Sequence, residues 1–307
     1  MHEFQTFLLD KYKIQDIVQI HKGFSNDEKY KVSLKDGTVL LVRVSSPDSY
    51  KRKKDEFDVL ATVYRLGVTC SEPLHFHVLP SGNICMVLGF IEGEDGEEAL
   101  RKHSEDIQYK MGFEAGRQLK MMHSIPAPVD LQNWYEQKWK KHMSYYESYK
   151  TCGFVFEHAE DIQRFIEKNV DLLKNRPSTF QHDDFHPGNL IFHKGRYNGV
   201  IDFNRYDWGD PYHDFYKVGL FTTHVSVPFA VGQLHGYFDN SVPDEFWKIY
   251  TVYMGMSIFS SILWSLKQEP SLLNSMIGNL HQILKDHNQF TSHIPSWYVD
   301  CDNIDSL

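Results

Sequence analysis

Over the first ninety residues apolar and polar positions alternate. Residues 17–20 (IVQI), 29–34 (KYKVSL) and 38–44 (TVLLVRV) are rich in β-branched and aromatic side chains at period two, the pattern of half-buried strands. Lys35-Asp36-Gly37 supplies a turn between the last two and predicts a hairpin. At 51–67 (KRKKDEFDVLATVYRLG) the spacing becomes helical. Phe57, Leu60, Val63 and Tyr64 share one face, Gly67 stands at the end, and the basic run 51–54 reads as solvated surface. Residues 83–91 (NICMVLGFI) return to strand character, so a small antiparallel sheet carrying one helix is expected.

Beyond the acidic stretch 92–98 the pattern is mostly helical. Residues 108–125 end before Pro126, and residues 157–175 place Ile162, Phe165, Ile166, Val170 and Leu173 on one stripe before Pro177. Residues 249–266 carry no charge and approach the length of a membrane span, but Thr251, Ser257, Ser260, Ser261 and Ser265 favour a buried core helix. Around 189–204, LIFH and GVIDF flank KGRYN and predict a second short hairpin. The expected fold is α+β and bilobal, with a β-rich lobe at 1–91 and a larger helical lobe at 92–307.

Composition narrows the class. Of 307 residues, 41% are hydrophobic and 24% charged, which is too apolar for disorder. The net charge of −9 argues against nucleic acid or an anionic membrane as partner. Cys70, Cys85, Cys152 and Cys301 are widely spaced, as reduced thiols are, and the N-terminus lacks a secretory pattern; a cytoplasmic protein is expected.

Polar chemistry concentrates at 181–192, QHDDFHPGNLIF. Three readings compete. His182 and His186 have the i,i+4 spacing of zinc ligands, with Asp183 or Asp184 to complete a site, but Pro187-Gly188 opposes the helix that spacing needs. A polar turn without chemistry is the second. The third matches the H-x-D-x-x-x-x-N loop of phosphoryl transfer: His182 leads, Asp184 follows, Asn189 stands five residues later, and Asp202 lies in Ile-Asp-Phe beyond the hairpin. In-line transfer needs one carboxylate to orient and deprotonate the attacking hydroxyl, and two hard oxygen donors to hold Mg²⁺ against phosphates.

The combination HDDFHPGNLIF and VIDFNRYDWGDPYHDF resembles the aminoglycoside phosphotransferase and choline kinase superfamily, which has the protein-kinase-like fold. The likeness covers roughly residues 15 to 265 and is strongest over 180–215. It implies Asp184 as catalytic base, Asn189 and Asp202 as metal ligands, and His182, Asp210 and Asp214 as structural support. In the first lobe it implies a nucleotide site, with Ser25 and Asn26 in the phosphate loop and Arg43 where protein kinases carry lysine. Glu56 is the helix carboxylate that positions that cation, and Leu88, Gly89 and Ile91 form the adenine-facing strand. The implied cofactors are ATP, or GTP, and Mg²⁺.

The implied acceptor is a hydroxyl of a small cationic molecule, aminoglycosides first, with antibiotic resistance as the consequence. Asp207 and the tail acids Asp300, Asp302 and Asp305 are candidate substrate contacts. Choline, ethanolamine, homoserine, a macrolide or a sugar remain open as acceptors. So do a nucleotide-binding pseudokinase, suggested by Arg43 and Asn204, and a metal-dependent hydrolase using His182 and His186.

Overall fold

The strand alternation of the first third closes into a five-stranded antiparallel sheet. The computed structural model describes residues 3–21, 27–268 and 270–299, and the chain divides into two compact units. The first comprises Met1–Glu94 with Leu190–Lys194 and Asn198–Asn204. Its elements are α1 (Glu3–Leu9), β1 (Ile14–Ile20), β2 (Glu28–Leu34), β3 (Val39–Ser45), α2 (Tyr50–Arg65), β4 (Pro73–Val78) and β5 (Ile84–Gly89), and the sheet order is β1-β2-β3-β5-β4. Asp36 fixes the predicted hairpin turn by accepting the Thr38 N–H at 2.9 Å, and Gly37 takes the left-handed conformation with φ 90°.

Alternation along β3 gives the sheet two different faces. Leu40 and Val42 join Tyr30, Val32, Leu34, Cys85 and Val87 in a core closed by Phe4 and Leu8 of α1, while Arg43 and Ser45 point to the opposite side. On α2, Leu60 and Val63 are buried as expected, but Tyr64 is 39% exposed and Lys53 and Glu56 are fully buried. The basic run is therefore not wholly solvated. Residues 3–9 and 73–78, which the alternation did not assign, form α1 and β4.

The second unit comprises Asp95–Asn189, Gly195–Tyr197 and Arg205–Leu307. It holds α3 (Gly96–Arg101), α4 (Glu105–Met122), α5 (Trp134–Lys150), α6 (Ala159–Asn169), the single turn α7 (Thr223–Val225), α8 (Val227–Phe238), α9 (Asp244–Gln268) and α10 (Leu273–Asp286). The amphipathic stripe expected around α6 is present, with Ile162, Ile166, Val170 and Leu173 buried. Helix α9 meets the length and hydropathy of a membrane span, yet most of it is buried inside the unit, as its hydroxyls predicted.

α4 and α8 approach through glycines. A Cβ on Gly112 or Gly116 would stand 2.1 Å from the Phe229 carbonyl oxygen or 2.0 Å from that of Gln233. A Cβ on Gly232 or Gly236 would meet the carbonyl of Tyr109 at 2.2 Å or of Phe113 at 1.9 Å. Backbone therefore packs directly on backbone.

Candidate active site

In the first unit, the face of the sheet opposite α1 carries a buried ionic cluster. Arg43 on β3 donates from Nη1 to Glu56 Oε1 at 2.5 Å, and from Nε and Nη2 to Asp27 Oδ2 at 3.0 and 2.5 Å. Lys53 bonds the same two carboxylates, at 2.6 Å to Asp27 and 3.1 Å to Glu56, and Ser45 adds a hydroxyl to Asp27 at 2.8 Å. Burial opposes the charge on Asp27, but Arg43, Lys53 and Ser45 outweigh it and hold the carboxyl well below the ordinary range. Asp202, left-handed at φ 67°, belongs to this unit, and its charge acts on both Arg43 and Lys29. The pairing of Arg43 with Glu56 is thus present, but the cluster also contains Lys53 and Asp27, which the sequence had not assigned.

Met86 and Leu88 are cross-strand partners of Arg43 and Leu41, so they lie on the Arg43 face. The Gly89 N–H donates to the Glu72 carbonyl at 2.8 Å, which leaves its carbonyl as the backbone group to consider for a base. Ile91 is partly buried, and Ser25 and Asn26 lie outside the described residues, as do Asp300, Asp302 and Asp305.

The catalytic-loop motif lies in the second unit and is held from behind by Asp214. That buried carboxylate accepts the His182 N–H at 2.8 Å and the Asp183 N–H at 2.7 Å, and meets His123 Nε2 at 3.0 Å. The two amides fix the chain where Asp183 turns left-handed at φ 57°. His182 is fully buried and packs edge-on to Phe185. Asp210, also buried, is gripped by Arg176 at 2.9 and 3.2 Å and by the Tyr253 hydroxyl at 2.9 Å, and caps Tyr212 N–H at 3.1 Å.

Asp184 follows on this support. Lys217 donates to its Oδ1 at 2.8 Å, and Asn189 Nδ2 bonds its Oδ2 at 3.1 Å and its backbone carbonyl at 2.9 Å. His186 Nε2 lies 3.6 Å from Oδ1. Burial alone would raise the Asp184 pKa, but His186 and Lys217 overcome it and keep the group a carboxylate.

Beside it, Asp183 Oδ1 lies 3.4 Å from His213 Nδ1, and Lys138 of α5 hydrogen-bonds His213 Nε2. Burial pushes Asp183 up to about 6 and Lys138 down to about 7, while burial and nearby lysines keep His213 neutral. Lys138 is therefore the donor in its bond to the imidazole. Asp207 accepts the Trp208 N–H and acts on Lys138 electrostatically.

The zinc reading finds no support here. Among the described residues the group close enough to share an ion is Asp183, His213 and Asp214, which includes neither His182 nor His186. Lys138 already occupies one nitrogen of His213, and backbone amides occupy both Asp214 oxygens.

A sequence model of the phosphotransferase enzyme family matches residues 16–246. The chain belongs to that family. The phosphotransferase is an enzyme that transfers a phosphoryl group to a hydroxyl acceptor, a small-molecule kinase. No curated protein sequence matches it.

Solved structures give the fold. Aminoglycoside phosphotransferase APH(2'')-Ib with ADP is 18% identical, with TM-score 0.62 over 92% of this chain and 97% of that one. Macrolide 2'-phosphotransferase MphH from Brachybacterium faecium is 14% identical, with TM-score 0.65 over 90% and 96%. The GDP complex of aminoglycoside 2'-phosphotransferase-IIIa is 12% identical, with TM-score 0.68 over 92% and 98%. The phosphotransferase thus has the kinase-like α+β fold its motifs implied.

Proposed function

We propose that the protein transfers the γ-phosphate of ATP, or of GTP, to a hydroxyl of a small molecule, with Asp184 as the base. The observation that carries this reading is the double fixing of Asp184 by Lys217 and Asn189 on a loop braced by Asp214. A carboxylate so held keeps lone pairs for a hydroxyl proton and stays ionised to receive it. In the first unit the cluster around Arg43, Lys53 and Glu56 is proposed to face the nucleotide phosphates, with Ser25 and Asn26 in the covering loop and Leu88 and Ile91 toward the base. ADP and GDP complexes among structures of this fold support a nucleotide as donor.

Asn189 and Asp202 are each proposed as a donor to Mg²⁺. The amide nitrogen of Asn189 is spent on Asp184, which leaves its oxygen as the available donor, and Asp202 adds a carboxylate. A bound Mg²⁺ would neutralise phosphate charge.

For the acceptor, a cationic molecule of the aminoglycoside type is the first reading, supported by the complexes such proteins form and by Asp207 as a candidate contact. A specific observation favours a second. Among the described residues, Lys138 and Lys141 have no carboxylate within 4 Å, and with Lys217 they act as three basic side chains on Asp183. Lysines there could bind an acceptor that carries a carboxylate or phosphate.

The test is ADP formation with kanamycin, choline, homoserine, glycerate and glycerol 3-phosphate as acceptors, each repeated with Asp184→Ala. Asp184-dependent transfer to any of them supports the kinase reading, and the preferred charge decides the acceptor class. Turnover indifferent to Asp184→Ala overturns the reading.

A further inference from the structure

We infer that Lys217 is a positioning residue for phosphoryl transfer: its ammonium fixes the Asp184 carboxylate in the orientation from which it takes the acceptor's proton. The inference rests on the kinase reading above. Neither the motif spacing nor the family resemblance assigns this lysine a role.

Lys217 is buried, and its Nζ lies 4.9 Å from the Tyr216 ring centroid and 5.2 Å from that of Phe221. The ammonium has thus given up most of its water. Among the described residues, the carboxylate within 4 Å of it is that of Asp184. The Asp184 side chain keeps 18% of its surface exposed against 6% for Lys217. The lysine is the fixed member of the pair and the carboxylate is the one presented.

Two donors on different oxygens, Lys217 on Oδ1 and Asn189 on Oδ2, define the carboxylate plane. Each oxygen retains a lone pair for the acceptor hydroxyl. In the transfer the bond from the γ-phosphorus to the β–γ bridging oxygen breaks and a bond from the acceptor oxygen to that phosphorus forms. The hydroxyl proton passes to Asp184, and the nucleoside diphosphate leaves. Without Lys217 the Asp184 side chain loses one of its two anchors, and misplacing a reacting group by about 1 Å can cost about 10²-fold in rate.

The experiment compares wild type with Lys217→Met, Lys217→Arg and Lys217→Ala, the last also with added methylammonium. It reads Asp184-dependent ADP formation on the acceptor panel or on water, together with nucleotide affinity by calorimetry. Lys217→Met is expected to lower kcat about 10²-fold while nucleotide Kd stays within about twofold. Lys217→Arg is expected to recover to within about tenfold of wild type, and methylammonium to accelerate Lys217→Ala saturably without affecting wild type. A Lys217→Met enzyme within about threefold of wild type overturns the inference. So does a slow one that neither arginine nor methylammonium restores, since that marks a packing residue. A wild type with no Asp184-dependent turnover overturns the kinase reading and this inference together, whereas an active wild type with an indifferent Lys217→Met overturns only the role of Lys217.

Discussion

Asn189 holds Asp184 at two points, donating from one amide nitrogen to its side-chain Oδ2 at 3.1 Å and to its backbone carbonyl at 2.9 Å. The five-residue interval between them is therefore a geometric requirement, because the amide must reach back across one turn of loop. Asp184→Ala should lower kcat by about 10²- to 10⁴-fold, the usual worth of a general base, with nucleotide affinity unchanged. Asp202→Ala should weaken Mg²⁺-nucleotide binding as well. Calorimetric titration with a non-hydrolysable ATP analogue, beside a coupled ADP assay, separates the two outcomes.

In the first unit, removing one carboxylate from the buried cluster leaves cations without compensation. Glu56→Ala exposes Arg43 and Lys53 to that loss and should destabilise the protein by about 3–5 kcal/mol, whereas Glu56→Gln should cost less by keeping a hydrogen-bond acceptor. Thermal unfolding followed by calorimetry reads both. Equal stability of Glu56→Ala and wild type would show that the cluster contributes little.

How much of this was legible beforehand follows from the range of each interaction. The Lys35-Asp36-Gly37 turn, the helix at 51–67 and the spacing from Asp184 to Asn189 are local, and periodicity or motif spacing exposed them. Asp27 and Lys53 escaped because Asp27 meets partners 16 and 26 residues away in the chain, Arg43 through the pairing of β2 with β3 and Lys53 from helix α2. Lys53 in particular sits in a run of four basic residues that looks solvated, and only its phase on α2 turns it inward. Lys217 lies 33 residues from Asp184, with no periodic signal to announce the contact. The sole clue was a cation three residues after Asp214, in Asp-Phe-Tyr-Lys.

Asp183 gives stability a pH dependence of definite sign. Its pKa rises from 3.8 to about 6 on folding, chiefly by burial, so between about pH 4 and 6 the native state holds a proton that the unfolded chain releases. Its contribution to stability is present below that window and is lost as pH rises through it. Asp183→Asn removes the penalty and keeps a residue that tolerates positive φ, so it should stabilise the protein by about 1–3 kcal/mol at pH 7 and leave it unchanged below about pH 4. Urea unfolding across that range measures the difference. A variant less stable at pH 7 than wild type contradicts the expectation.

The glycine contact between α4 and α8 should tolerate nothing larger. Gly116→Ala or Gly236→Ala would drive a methyl into a backbone carbonyl, which cannot step aside as a side chain tip can, and should cost about 3 kcal/mol or more. Gly278→Ala, where a Cβ meets nothing within 4 Å, should lie within about 0.5 kcal/mol of wild type and serves as the control.

Interlocked notches of this kind also set a distance. Sliding α4 along α8 by a single residue, about 1.5 Å, would bring the side chains beside the notches onto the partner's carbonyls, so the pair has one allowed register. His123 caps α4 and Tyr237 belongs to α8, and they bond each other at 2.8 Å while His123 reaches Asp214 at 3.0 Å. The ruler ends on the carboxylate that holds the catalytic loop. A bulky replacement deep in this helix pair should therefore blunt phosphoryl transfer from afar, by shifting the peptide that carries Asp183 and Asp184.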